Sequence, residues 1–159
     1  MPAEDRAEEL ASFVEEIGLF YEDLGLTRLW GRVLGWLLVC QPGFQSAEDL
    51  ANVLHASRGS ISMSTKALVR AGMVERRALR GDRRTYYRIR PDAWSAVFEE
   101  QTRMVARLRK LAEQGLGLLR NDPPERRRRL EELQDLTAFY EGEIPALLAR
   151  WDREHCKRT

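Results

Sequence analysis

The chain has 159 residues, enough for one domain or one compact domain with arms. Hydrophobic residues make up 43% and charged residues 32%, which allows a core beneath a densely charged surface and suits a helical protein rich in Leu, Glu, Arg and Ala. The net charge of +1 says little about partners, the longest apolar run (residues 33–40) is too short to span a bilayer, and the acidic N-terminus lacks the basic and apolar parts of a signal peptide, so a soluble cytoplasmic protein is expected. The two cysteines, Cys40 and Cys156, form no close-spaced metal or redox pair and read as reduced thiols.

Taken in chain order, Leu10, Phe13, Val14, Ile17, Phe20 and Leu24 recur at helical spacing and predict an amphipathic helix over residues 3–24, ended by Gly25. A second helix is expected over residues 27–39 and stops at Gln41-Pro42-Gly43. Ser46, with Asp49 three residues on, is a candidate N-cap for a short helix carrying Leu50, Ala51 and Leu54. His55-Ala56-Ser57 interrupts that helix, and another follows over residues 58–70 up to Gly72. The period then becomes extended: residues 73–79 and 85–90 read as two strands joined by a turn at Arg80-Gly81-Asp82-Arg83-Arg84. Pro91-Asp92 opens a long amphipathic helix that ends near Asn121-Asp122-Pro123-Pro124. A last helix carries Leu130, Leu133, Thr137, Tyr140, Ile144, Leu147 and Trp151 at alternating steps of three and four, with a kink expected at Glu141-Gly142 from Pro145.

The fold class is therefore mainly α: a winged helix-turn-helix with a two-stranded β wing between long terminal helices. Residues 1–25 read as an N-terminal dimerisation helix, 26–91 as the winged helix-turn-helix and 92–159 as a C-terminal helical dimerisation region. Helices this long cannot bury their apolar faces on a small winged domain alone, so a second subunit is expected to cover part of them.

Charge is distributed unevenly. Residues 57–90 hold ten basic residues against two acidic ones, Glu75 and Asp82, for a local charge of +8, while the rest of the chain carries −7. A cationic patch on an otherwise acidic protein binds a polyanion in one orientation, and its coincidence with a helix-turn-helix points to double-stranded DNA. With Ile61 and Leu68 turned to the core, the second helix of the motif leaves Ser57, Arg58, Gly59, Ser60, Ser62, Met63 and Lys66 as the candidate recognition surface for a major groove. Arg80, Gly81, Arg83 and Arg84 form the candidate DNA-binding wing, with Asp82 expected to pair with one of the arginines and shape the loop.

Leu54-His55-Ala56-Ser57-Arg58-Gly59-Ser60-Ile61-Ser62, the stretch from Leu68 through Met73-Val74-Glu75, and Gly81-Asp82-Arg83-Arg84-Thr85-Tyr86-Tyr87 followed by Trp94 resemble the MarR-type multiple-antibiotic-resistance regulators. The resemblance is closer to their glycine betaine synthesis regulator (GbsR-like) branch and covers residues 24–103. It implies a homodimer joined through its terminal helices, a pseudo-palindromic operator, usually repression of nearby genes, and in many members relief by a small-molecule effector. His55 departs from the commoner small or polar residue of the turn.

No metal-ligand spacing, phosphate loop or nucleophile elbow surrounds His55 or His155, so neither an enzyme nor a cofactor is expected. The Arg126–Arg129 run, followed by Glu131-Glu132, reads as a solvated helix face. Trp30, Trp36, Trp94, Phe98 and Tyr140 are candidate ligand-pocket residues that could cage a quaternary ammonium effector, although aromatics at helical spacing more often form core or dimer interface. Two other classes compete with the sequence-specific regulator: an architectural protein that binds DNA without sequence preference, and a winged-helix module that binds protein.

Overall fold

The computed structural model describes residues 3–155, and Cys156 lies outside them. Among the described residues the elements run α1 (Ala3–Asp23), α2 (Arg28–Val39), β1 (Gln45–Ser46), α3 (Ala47–Val53), α4 (Arg58–Arg70), β2 (Val74–Ala78), β3 (Thr85–Ile89), α5 (Ala93–Leu118) and α6 (Pro124–His155). They form two compact units, Met1–Trp94 and Ser95–Thr159.

In the first unit Gly25, at φ +83°, closes the end of α1, and the Thr27 hydroxyl caps α2 by accepting from the Trp30 amide at 3.2 Å. α2 is the central helix, with Val33, Leu34 and Leu37 buried. α1 crosses it at very close range: a Cβ placed on Gly31 would stand 2.7 Å from the Ile17 carbonyl oxygen and 2.9 Å from the Gly18 Cα. The crossing is held by Glu15, which accepts from Arg28 at 2.9 Å and forms an ion pair with Arg32 at 2.6 Å.

The helix-turn-helix is built from local signals. Ser46 and Asp49 form a full capping box on α3: the Ser46 amide and hydroxyl donate to Asp49 Oδ2 at 2.9 and 2.7 Å, and the Asp49 amide donates to Ser46 Oγ at 3.1 Å. His55 adopts φ 50°, the left-handed conformation that lets the chain turn sharply. α3 and α4 pack through buried Leu50, Ala51, Ile61 and Leu68, and buried Thr65 satisfies its hydroxyl on the Ile61 carbonyl at 2.8 Å. Gly72, at φ +73°, then turns the chain out of α4 and into the sheet.

The wing strands pair antiparallel from Val74↔Ile89 to Ala78↔Thr85. β1 adds a third short strand on the far side of β3, with Gln45↔Tyr87 and Ser46↔Tyr86, so the sheet order is β1-β3-β2. Ser46 thus ends a strand and caps a helix, and the buried Tyr86 and Tyr87 sit in the middle strand.

In the second unit α5 and α6 are antiparallel. The Ser95 hydroxyl reaches Asp152 at 3.4 Å, Arg109 pairs with Glu141, and Gly115 lets Leu130 lie against the α5 backbone, where a Cβ would stand 2.7 Å from Leu130 Cδ1. Pro145 leaves the Glu141 carbonyl without an amide donor one turn back, yet α6 is unbroken from Pro124 to His155. Arg126, Arg127 and Arg128 pair with Asp122, Glu131 and Glu132, the solvated face expected of that run. Large apolar side chains remain exposed here, among them Leu118 at 85%, Leu136 at 66% and Phe139 at 67%.

Gly31→Ala should destabilise the protein by about 1–3 kcal/mol in urea unfolding, because the new methyl meets backbone rather than a movable side chain. Gly43→Ala, where a Cβ has nothing within 4 Å, should be near neutral. Equal stability of the two variants would contradict the close crossing.

Candidate nucleic-acid interface

The N-terminus of α4 begins at Ser57, whose hydroxyl accepts from the Ser60 amide at 3.1 Å and shares a 2.8 Å hydrogen bond with the Ser60 hydroxyl. Ser57 is therefore a helix cap, and Ser60 is its partner as well as a candidate reader. Arg58 is 82% exposed and makes a 3.2 Å ion pair with Glu48 of α3, a contact weak enough in water to be exchanged for a base or a phosphate. Gly59, Met63 and Lys66 are exposed and Ser62 is half-buried, so the expected recognition residues share one outward face over a core held by Ile61, Ser64, Thr65 and Leu68.

The wing has an internal skeleton. Gly81, at φ +83°, makes the turn, and the Asp82 amide donates to the Leu79 carbonyl at 3.1 Å. The Asp82 carboxylate accepts from the Arg84 amide at 2.9 Å, from the Arg84 guanidinium at 2.8 Å and from the Tyr86 hydroxyl at 2.7 Å. Hydrogen bonds from Arg84, then from Tyr86, hold this carboxyl well below the usual carboxylate range, and the same contact pushes the Tyr86 phenol upward. A depressed carboxyl pKa gives a contribution that is complete above the unfolded value and fades only as pH falls to the folded one. The wing scaffold therefore stays intact across neutral and mildly acid pH.

Behind this hub the Arg84 guanidinium lies over the Tyr86 ring at 5.3 Å, Phe44 meets Tyr86 edge-on at 5.4 Å, and Arg77 lies over Phe44 at 5.4 Å. Arg84 is thus committed to the skeleton, while Arg80 and Arg83 are exposed and form no ion pair among the described residues. Phe44 and Tyr86 escape the sequence reading as wing supports. The period-2 spacing of Tyr86 from Arg84 is a signal for one, and nothing local announces the other.

A further tie runs from the helical core to the turn. The Arg32 guanidinium, paired with Glu15, donates to the Leu54 carbonyl at 3.0 Å, immediately before the left-handed His55. Arg32 thereby links α1, α2 and the helix-turn-helix turn.

Two of the candidate ligand-pocket aromatics, Trp30 and Trp36, line different cavities of the first unit. Trp30 lines a cleft of about 640 Å³ against α4 and meets the Tyr21 ring in a tilted contact at 4.7 Å, whereas Trp36 lines a separate cavity of about 220 Å³ under α1. Trp94 closes the first unit and is 45% exposed, and Phe98 and Tyr140 belong to the second unit. Cys40 is buried, burial pushes its thiol pKa up, and it donates to the Leu37 carbonyl, an environment that keeps a thiol unreactive. Among the described residues no group of three or more His, Cys, Asp or Glu could hold a metal ion, and no helix is long and apolar enough to cross a membrane.

Asp82→Asn should speed tryptic cleavage after Arg80, Arg83 and Arg84 by several-fold while leaving the unfolding temperature nearly unchanged, because the wing loses its hub and the core does not. An unaltered cleavage rate would show that the carboxylate does not organise the loop.

Comparison with known proteins agrees with this architecture. A sequence model of the MarR family matches residues 24–85, and one described as the MmpR5-like MarR family transcriptional regulator matches residues 92–154. The HTH-type transcriptional regulator MmpR5 of Mycobacterium tuberculosis (strain ATCC 25618 / H37Rv) is 47% identical over 145 residues, covering 91% of this chain and 88% of that protein. A crystal structure of a transcriptional regulator, also 47% identical, superposes with a TM-score of 0.79 over 91% of this chain and 99% of the other. On these relations the chain belongs to the MarR family of winged helix-turn-helix transcriptional regulators, not to a family of enzymes.

Proposed function

We propose that the protein is a homodimer that binds a pseudo-palindromic operator sequence-specifically and represses the genes beside it. The observation that carries this reading is the combination, on one unit, of an exposed α4 face bearing Arg58, Gly59, Met63 and Lys66 with a wing whose Arg80 and Arg83 are held outward by the Asp82–Arg84–Tyr86 skeleton. The helix presents groups that discriminate base edges, and the wing presents cations of the kind that enter a minor groove or hold phosphates.

The exposed apolar side chains of the terminal helices support a dimer. Phe20 and Leu24 of the first unit and Leu118, Leu136 and Phe139 of the second are exposed large apolar side chains of the kind a second subunit covers. A two-fold dimer with its recognition helices about 34–36 Å apart matches successive major grooves on one face of the duplex. A small-molecule effector acts in this scheme by binding more tightly to a dimer with the wrong helix spacing, and its leverage equals that difference in affinity.

Arg58→Ala should relax base preference at one position in each half-site, costing about 1–3 kcal/mol of discrimination between the selected duplex and a single-base variant. Arg83→Ala should weaken binding to all sequences evenly and flatten the salt dependence. Titrations by fluorescence anisotropy at several salt concentrations separate the two. Equal losses for Arg58→Ala on the operator and on random duplex would remove it as a base reader and favour an architectural protein.

A further inference from the structure

Ion pairs divide the cations of the first unit into two sets. Arg28, Arg32, Arg58, Arg84, Arg88 and Arg90 each have a carboxylate partner, whereas Arg6, Lys66, Arg70, Arg76, Arg77, Arg80 and Arg83 have none among the described residues. Three of these unpaired cations, Lys66, Arg70 and Arg76, line one open cleft of about 580 Å³ between the C-terminal half of α4 and the start of β2. Two carboxylates also border the cleft, but both are already engaged: Glu75 with Arg88 across the strand pair and Asp92 with Arg90 through two hydrogen bonds of 2.9 and 2.5 Å. The cleft therefore presents net positive charge with no counter-ion of its own. Such an arrangement is costly in self-repulsion unless an anion relieves it.

We propose that this cleft seats the sugar–phosphate ridge between the major groove read by α4 and the minor groove met by the wing, with Arg70 and Arg76 binding its phosphates and Lys66 at the border with the base-reading face. The inference rests on the DNA-binding mode proposed above. If α4 lies in one groove and the wing in the next, the strand separating them crosses the gap between α4 and β2, and that gap is this cleft. The contact carries no sequence information; it fixes register and orientation and adds affinity on any duplex. Arg70 and Arg76 thereby join the interface although neither lies on the outward face at the N-terminus of α4 nor in the wing turn. A free phosphate or other small oxyanion offers the same chemistry, and the test separates the two sources.

Three full-length proteins are compared by anisotropy on a random-sequence duplex across a salt series: the wild type, Arg70→Gln/Arg76→Gln and Arg70→Lys/Arg76→Lys. Both arginines are exposed and unbonded, so unfolding temperatures should match the wild type. The Gln variant should lose roughly 2 from the magnitude of the log K against log salt slope for each bound protomer, at about 0.9 per phosphate released. The Lys variant should keep the slope, and the ratio of operator to random affinity should stay constant throughout. A wild-type slope in the Gln variant overturns the proposal. So does an unchanged slope in which inorganic phosphate, added at constant ionic strength, raises the unfolding temperature of the wild type but not of the Gln variant, since the cleft is then a small-anion site. A wild type that binds no duplex removes the parent reading and this one together, whereas failure of the inference alone leaves wild-type binding salt-sensitive.

Discussion

Everything that faces outward on the first unit hangs from the crossing of α1 over α2. At Gly31 the two backbones touch, with room for a hydrogen but not for a methyl group. The next residue, Arg32, leaves that crossing in the other direction and anchors the Leu54 carbonyl at the turn between α3 and α4. A rigid core, a charged tether and a left-handed turn at His55 thus set where α4 stands. The strength of the tether comes from its partners. Arg32 is held by Glu15 on one side and by a backbone oxygen on the other, so its geometry does not depend on the rotamer freedom that makes most exposed ion pairs weak.

Electrostatics give the unit its direction. The terminal helices pair several of their arginines, Arg128 with Glu132 and Arg109 with Glu113 among them, and lie in the part of the chain that carries −7, whereas residues 57–90 around α4 and the wing carry +8. Such a surface opposes folding through self-repulsion and lets a polyanion favour the folded form. Asp82 is the exception that makes the wing possible. By engaging Arg84 and Tyr86 together it neutralises one arginine to fix the loop, which leaves Arg80 and Arg83 projecting from a defined turn.

Most of the fold was legible because its signals are local and periodic. The apolar spacing of α1, the Ser46–Asp49 capping box, the switch from a helical to an extended period after Gly72 and the Gly81 turn each write a short-range geometry into a few residues. Asp82 was recognisable as a partner for an arginine, and Ile61 and Leu68 as the core face of α4. The hidden features are long-range or very short. β1 contains two residues, too few for any period, and exists because Tyr86 and Tyr87 offer it a strand edge. Phe44 supports the wing from 42 positions before Tyr86. The Arg32 tether spans 22 residues, and the cleft holding Arg70 and Arg76 comes from two elements that meet only after folding. Helical spacing likewise placed Trp30 and Trp36 on one helix but could not show that they line different cavities.

The most direct test of the account is selection of bound duplexes from a random pool at physiological salt, where non-specific affinity no longer dominates. The account predicts recovery of a pseudo-palindrome with half-sites about 10 base pairs apart, the spacing of two recognition helices related by a two-fold axis. Salt-sensitive binding that enriches no motif, or no binding to any duplex, would contradict it.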